Sequence, residues 1–279
     1  MRLRANAKIN LTLDITGKRD DGYHLLDSVM QSVSLCDKVT VETAEKISVR
    51  CSDDGICGDA NIAFTAAREF FSASGISAGA DIYIEKHIPK AAGLGGGSAD
   101  AAAVLTALDK LYGTHFDRNK MCEIALRVGA DVPFCLFGGT KRVRGVGEDT
   151  EDIRTSYNCA FVLLKCRTKL STGDMYRRTD SATTLPLCTE KMLCSLAEGD
   201  IFKISESVGN AFLSVCDISA ERTVLENAGA LGTGLSGSGP TVFGIFGDAD
   251  SAGKAAEKLQ KAGFEAYFAL PETNGVIFE

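Results

Sequence analysis

The chain has 279 residues, of which 45% are hydrophobic and 24% charged, with a formal net charge of −7 and ten cysteines. That length predicts two domains and the composition excludes disorder, while the acidic balance excludes a nucleic-acid partner unless a local basic patch is hidden in it. No apolar run nears the roughly 20 residues that cross a bilayer, and Met1–Lys8 carries charges without a signal-peptide apolar region behind them, so no membrane partner is expected. The cysteines form no Cys-x-x-Cys pair, and the three histidines, His24, His87 and His115, lie far apart. Buried free thiols in a reducing cytoplasm are therefore expected, and a structural zinc site is not.

Residues 3–16 place Ile9, Leu11, Leu13 and Ile15 at period two, the mark of a strand with one buried face. A charged turn with a glycine at each end, 17–22, follows. Strands are expected at 29–35 and 38–43 around a turn at Cys36 and Asp37, and at 47–51 before a turn at 53–55. Residues 61–73 carry Ile62, Ala66, Phe70 and Ala73 at helical spacing, with Asp59 or Asn61 near the cap. Residues 81–88 alternate and lead into Gly93-Leu94-Gly95-Gly96-Gly97-Ser98, behind which 99–105 is strongly helix-forming. Ser98 or Asp100 can cap that helix. Strand, bare loop and helix start expose several N–H groups at a positive helix end, a site for phosphate. A tight turn without a ligand remains the alternative on these residues alone.

The helix after the loop stops at Gly113, and a second, 117–128, ends at Gly129. Pro133 disfavours helix at Val132, which puts Asp131 in a turn among apolar neighbours. A carboxylate there is a functional candidate, with a solvated loop acid or helix cap as the alternative. Gly138-Gly139 and Gly145-Val146-Gly147 punctuate a strand pair, and the polar stretch 148–156 is read as a connection dividing the chain into domains 1–155 and 156–279. Beyond it come a strand at 160–165, helices near 173–178, 190–197, 201–214 and 219–228, a strand at 241–246, a helix at 252–262, and strands at 264–270 and 275–278. The fold class is α+β, a mixed α/β protein.

Two familiar phosphate loops fail on spelling. A P-loop needs Gly-Lys-Ser/Thr, and Gly97-Ser98-Ala99 has no lysine; a dinucleotide fingerprint counted from Gly93 needs glycine where Ser98 stands. The formal GxGxxG at Gly232–Gly237 follows helical sequence and precedes a strand, the reverse of the required order, and is a second glycine loop of another kind.

The segment from Pro89 to Ala102 resembles the phosphate-binding motif of the GHMP small-molecule kinases, and Leu235-Ser236-Gly237-Ser238-Gly239-Pro240-Thr241-Val242-Phe243-Gly244 resembles that family's C-terminal glycine motif. Ala7-Lys8-Ile9-Asn10-Leu11, Gly17-Lys18-Arg19 and Asp21-Gly22-Tyr23-His24 are similar to the branch that phosphorylates a cytidine-diphosphate-linked methylerythritol in the non-mevalonate isoprenoid pathway. The matches run from residue 7 to residue 244 in the family's order. This resemblance implies a two-domain GHMP kinase fold, its C-terminal domain ferredoxin-like, with the active site in the inter-domain cleft. It implies ATP as co-substrate, Mg²⁺, and transfer to the 2-hydroxyl of the substrate by a cytoplasmic monomer or weak homodimer. By the same resemblance Lys8 and Asp131 are the catalytic pair. Asn61, Lys86 and the loop Gly93, Leu94, Gly95, Gly96, Gly97 and Ser98 hold the nucleotide, and Ser98 also reaches Mg²⁺. Asn10, Tyr23, His24, Gly237 and Ser238 hold the substrate, and Tyr176 covers cytosine. The chain departs from the pattern at Lys90, where many members are apolar, and at Ala99, often a second serine. Chemically the pair is apt: a carboxylate accepts the proton of an attacking alcohol, and a neighbouring ammonium keeps it ionised and favours the developing alkoxide.

Overall fold

A computed structural model describes residues 1–155, 157–166 and 171–279; Ser156, where the second domain is expected to begin, lies outside the described residues. The chain opens with β1 (Arg2–Asn10), β2 (Thr12–Lys18) and β3 (His24–Ala44). The turn expected at Cys36 and Asp37 does not form. Asn6 pairs with Cys36 but Ala7 pairs with Val33, so Ser34 and Leu35 are extra residues in a bulge within one long strand. Asp37 faces inward there because its carboxylate has donors waiting: the N–H groups of His87 and Ile88, at 2.6 and 2.8 Å, and the Lys86 ammonium.

Next come β4 (Ser48–Cys51), α1 (Ile62–Ser74) capped by Asn61, β5 (Gly79–Glu85), α2 (Gly96–Tyr112), α3 (Arg118–Val128) and α4 (Val132–Phe137). They are followed by β6 (Thr140–Gly145), β7 (Asp149–Asp152), β8 (Ala160–Lys165), α5 (Thr172–Thr179), α6 (Thr189–Glu198) and α7 (Ile201–Glu206). The helix expected over 201–214 breaks after Glu206. Val208, Gly209 and Asn210 are poor helix formers, and Asn210 instead donates to the carbonyls of Leu235 and Gly237 at 2.8 and 2.9 Å. The chain continues through β9 (Gly209–Asn210), α8 (Ser219–Asn227), β10 (Gly232–Leu235), β11 (Thr241–Phe246), α9 (Ala249–Lys261), β12 (Ala266–Ala269), β13 (Pro271–Glu272) and β14 (Val276–Phe278).

One sheet is built on the path β14-β1-β3-β2-β9, with β13, β5 and β6 also pairing to β3 and with β4 and β7 beyond them; the other has the order β10-β11-β8-β12. The C-terminal strands thus return to the sheet that the N-terminus starts. Strand alternation lets the second sheet serve two cores. Phe161, Leu163, Phe243 and Ile245 join the core of the first sheet and helices α1 to α4, while Val162, Leu164, Val242 and Phe246 pack with α8 and α9. This is why Ala160–Leu164 is apolar throughout and why Val242, Phe243, Ile245 and Phe246 do not alternate with polar residues. The ten cysteines are all unpaired; Cys51, Cys135 and Cys159 are buried, but Cys194 is exposed and the others lie between, so the expectation of buried thiols holds only in part. No helix among the described residues is long and apolar enough to cross a membrane.

Candidate active site

Helix α2 starts at Gly96, with Gly95 in the capping position at φ 70° and no side-chain cap. Ser98 and Asp100, expected as caps, lie inside the first turns. The first helical bond, Ala99 N–H to Gly95 O at 2.8 Å, leaves the N–H groups of Gly96, Gly97 and Ser98 ahead of it. They stand at the positive end of a 17-residue helix, the arrangement that attracts phosphate.

The glycines also allow close approach. Gly93 has φ 77°, and a Cβ on it would sit 2.2 Å from the Ser236 carbonyl oxygen. A Cβ on Gly95 would lie 2.9 Å from Lys8 Cγ. Ser236 Oγ donates to the Gly93 carbonyl at 2.9 Å, and the Lys8 N–H donates to the Leu94 carbonyl at 2.9 Å. Two glycine motifs far apart in sequence therefore touch, and the Lys8 stem runs beside them. Gly93→Ala is expected to cost about 1–3 kcal/mol of stability, measured by urea unfolding, because backbone must move to admit the methyl. It is also expected to raise the KM for ATP roughly tenfold, since the displaced loop misplaces its amides, a loss of about 1.4 kcal/mol of binding.

Lys8 is buried on β1. Its Nζ donates to Asn10 Oδ1 at 2.8 Å and lies 3.4 Å from Asp131 Oδ2, and Asn10 Nδ2 donates to Ser28 Oγ at 2.9 Å. Asp131 occupies the capping position of α4 but makes no capping hydrogen bond, so its carboxylate is not used up in holding the helix. The helix begins at Val132 despite Pro133, because a proline in the first turn removes no helical bond. Side-chain exposure is 5% for Lys8 and 34% for Asp131: the carboxylate meets the cleft and the ammonium backs it.

The cleft encloses about 670 Å³ and is lined by Lys8, Asn10, Tyr23, His24, Gly93, Gly95, Ser98, Asp131, Tyr176, Gly237 and Ser238 among others. At one end His24 stacks on Tyr176, ring centroids 4.7 Å apart and planes 19° from parallel, and Tyr176 meets Phe212 edge-on at 4.9 Å. Burial, with a smaller contribution from the Asp131 charge, pushes the Tyr176 hydroxyl up to about 12, so it is a neutral donor at pH 7. Tyr23 is 66% exposed at the mouth. Ser238 Oγ shares a hydrogen bond with Thr172 Oγ1 at 2.8 Å, joining the second glycine loop to the start of α5.

The GHMP kinases N terminal domain matches residues 61–139 and the GHMP kinases C terminal domain matches 222–265. The 4-diphosphocytidyl-2-C-methyl-D-erythritol kinase of Thermoanaerobacter pseudethanolicus is 40% identical over 284 residues, covering 99% of this chain and 98% of its own. The chain belongs to the 4-diphosphocytidyl-2-C-methyl-D-erythritol kinase family. A crystal structure of 4-(cytidine 5'-diphospho)-2C-methyl-D-erythritol kinase is 34% identical and aligns with a TM-score of 0.78 over 97% of this chain and 99% of that one. Homoserine kinase from Cytophaga hutchinsonii reaches the same TM-score, 0.78, at 20% identity over 99% and 96% of the two chains, a likeness of fold alone. The GHMP fold and kinase class expected from the motifs are borne out.

For a member of this kinase family, two expected nucleotide residues sit apart from the cleft. Asn61 spends both ends of its amide internally: Oδ1 caps α1 through Ala63 N–H at 2.8 Å, and Nδ2 donates to Ile56 O at 2.7 Å. Lys86 Nζ lies between Asp37 and Asp100, 2.7 Å from Asp100 Oδ2. Both lie behind the glycine loop, where a Cβ on Gly96 would be 3.4 Å from Lys86 Nζ and one on Gly97 3.3 Å from Ile62 Cγ2. Leu94 points into the core, lending the site only its carbonyl. Desolvation first, then the Asp37 charge, hold the Asp100 carboxyl well above the usual range. Burial works against the Lys86 charge, but the two carboxylates offset this and hold its pKa above the ordinary lysine value.

Asp180, Lys18 and Phe212 also line the cleft, and the sequence pattern assigned none of them a role. Lys18 stands in the Gly17-Lys18-Arg19 motif, which marks the position but not its partner, and no local signal marks Asp180 or Phe212, because each gains its neighbours only through tertiary contact. A Mg²⁺ accompanying the nucleotide would find the hydroxyl of Ser98, which lies in the first turn of α2 and lines the cleft, as an oxygen ligand, and would supply charge neutralisation there.

Proposed function

We propose that this kinase transfers the γ-phosphoryl group of ATP to the 2-hydroxyl of 4-diphosphocytidyl-2-C-methyl-D-erythritol, a step of the non-mevalonate isoprenoid pathway. The observation that carries the reading is the Lys8–Asp131 pair, 3.4 Å apart, in one cleft with the glycine-loop helix start and the His24–Tyr176 stack. Asp131 accepts the hydroxyl proton as the substrate oxygen bonds to the γ-phosphorus and the bond to the β-phosphate oxygen breaks, releasing ADP. Lys8 holds the Asp131 carboxylate in place and stabilises the alkoxide as it develops. The amides of Gly96, Gly97 and Ser98 hold the nucleotide phosphates, with Asn61 and Lys86 supporting that side of the site. Asn10, Gly237 and Ser238 orient the acceptor, and Tyr23, His24 and Tyr176 hold the base. Mg²⁺, met by Ser98, would neutralise phosphate charge.

The same reading treats 1–155 and 156–279 as the two domains, the second ferredoxin-like, with β13 and β14 crossing back. It makes the chain a cytoplasmic monomer or weak homodimer without nucleic-acid or membrane partners. An ATP-coupled assay across alcohols tests it. Turnover is expected with 4-diphosphocytidyl-2-C-methyl-D-erythritol and not with mevalonate or homoserine; turnover of free mevalonate but not of the cytidylylated substrate would overturn it.

A further inference from the structure

We infer that Asp180 is a positioning residue, whose carboxylate fixes His24 with its proton on Nε2 and thereby sets the preference for cytosine over uracil. The inference rests on the proposed function, which puts the substrate base beside His24 and Tyr176.

Asp180 caps the C-terminus of α5 and reaches across to the facing ends of β2 and β3, where Lys18 pairs with His24. Its Oδ1 lies 2.6 Å from His24 Nε2, and its Oδ2 lies 2.6 Å from Lys18 Nζ. These two hydrogen bonds hold its pKa below the usual carboxylate range. It is therefore an ionised group that can only accept, and the nitrogen facing it must carry a hydrogen. In a neutral imidazole the other nitrogen, Nδ1, is then left with a lone pair. The ring cannot readily turn over to exchange the two, because it is packed against Tyr176 and its side chain is only 10% exposed.

A fixed acceptor in this wall discriminates between pyrimidines. Cytosine carries an exocyclic amine, a donor, where uracil carries a carbonyl oxygen, an acceptor. The His24 Nδ1 lone pair accepts from the first and opposes the second, so rejection of the wrong base is built into the site. A site made to hydrogen-bond a substrate group rejects the analogue lacking it by large factors. Lys18 completes the device by engaging the second Asp180 oxygen. Without Asp180 either imidazole tautomer becomes accessible, and a proton on Nδ1 would welcome the uracil oxygen.

Two measurements on the full chain test this. With His87 and His115 replaced by glutamine, His24 is the remaining histidine, and ¹⁵N spectra of its ring report the proton position directly. The Nε2–H form is expected, giving way to a mixture in Asp180→Asn. In steady-state kinetics Asp180→Asn is expected to raise the KM for the cytidine-linked substrate about tenfold and leave kcat within about twofold. The ratio of kcat/KM for cytidine- over uridine-linked substrate should shrink at least tenfold (of order 10), and Asp180→Glu should restore most of it. A wild-type chain that ignores the cytidine-linked substrate would sink the functional reading and leave the tautomer result standing. A proton found on Nδ1 in the unaltered site, or discrimination unchanged in Asp180→Asn, would overturn the role given to Asp180.

Discussion

Asp131→Asn is expected to lower kcat by about 10²–10⁴-fold while KM for both substrates stays within a few-fold, because asparagine keeps the shape of the side chain and loses only its basicity. Steady-state kinetics with the cytidylylated substrate check this. The chemical reason lies in how Asp131 is held. It stands at the start of α4 without capping that helix, a third exposed to the cleft, and its charged partner is the Lys8 ammonium at 3.4 Å. Asparagine caps a helix as well as aspartate does, so a carboxylate serving only as a cap would leave Asp131→Asn near wild type in both turnover and stability, and only Asp131→Ala would lose about 1 kcal/mol. A loss confined to kcat removes an interaction made in the transition state. Near-normal turnover in Asp131→Asn would remove the base from the proposed mechanism, whatever the effect on stability.

Much of this site could be read from local spelling. The glycine run behind a strand and before an alanine-rich helix predicts a bare loop leading into a helix start, realised at Gly95 and α2, because bare backbone and strong helix propensity are both local properties. Strand 241–246 was legible for the same reason, an apolar run bounded by Pro240 and Gly247 and realised as β11. What escaped was set by distant partners. Asp37 read as a turn residue, yet its carboxylate is bound by groups about fifty positions away, which keeps β3 continuous. Asp180 looked like any acid after a short helix, although its partners lie 156 and 162 residues earlier. The glycines of Gly232–Leu235 spell a loop, yet the segment forms β10. Those glycines are needed because a Cβ on Gly232 would meet the Ser205 carbonyl at 2.5 Å and one on Gly234 would meet Val208 at 2.4 Å. Asn61 and Lys86 were assigned by resemblance, which transfers a position in sequence but not the internal partners that each side chain has here.

Lys86→Met is expected to destabilise the fold by about 3–5 kcal/mol, because it strips the shared counter-charge from two buried carboxylates. Asp37 retains the N–H groups of His87 and Ile88 as donors, so the burden falls on Asp100, whose Oδ1 has no hydrogen-bond partner. The Asp100 carboxyl already titrates well above the usual range, and losing the ammonium moves it further up. A carboxyl raised in the folded state favours folding fully below its unfolded pKa, about 4, and that stability is lost as pH rises through the folded value. The deficit of Lys86→Met relative to the wild type should therefore shrink as the pH is lowered from 8 towards 5, as urea unfolding across that range would measure. Adding Asp100→Asn should recover part of the loss at pH 8 by removing one of the two charges. The consequence reaches the glycine loop through geometry, since Lys86 Nζ would stand 3.4 Å from a Cβ on Gly96, directly behind the loop proposed to hold the nucleotide. A variant with full stability but weakened ATP binding would make Lys86 a nucleotide contact in its own right. A pH-dependent loss of stability, with ATP affinity falling only in proportion, would make it the post on which the phosphate loop is set.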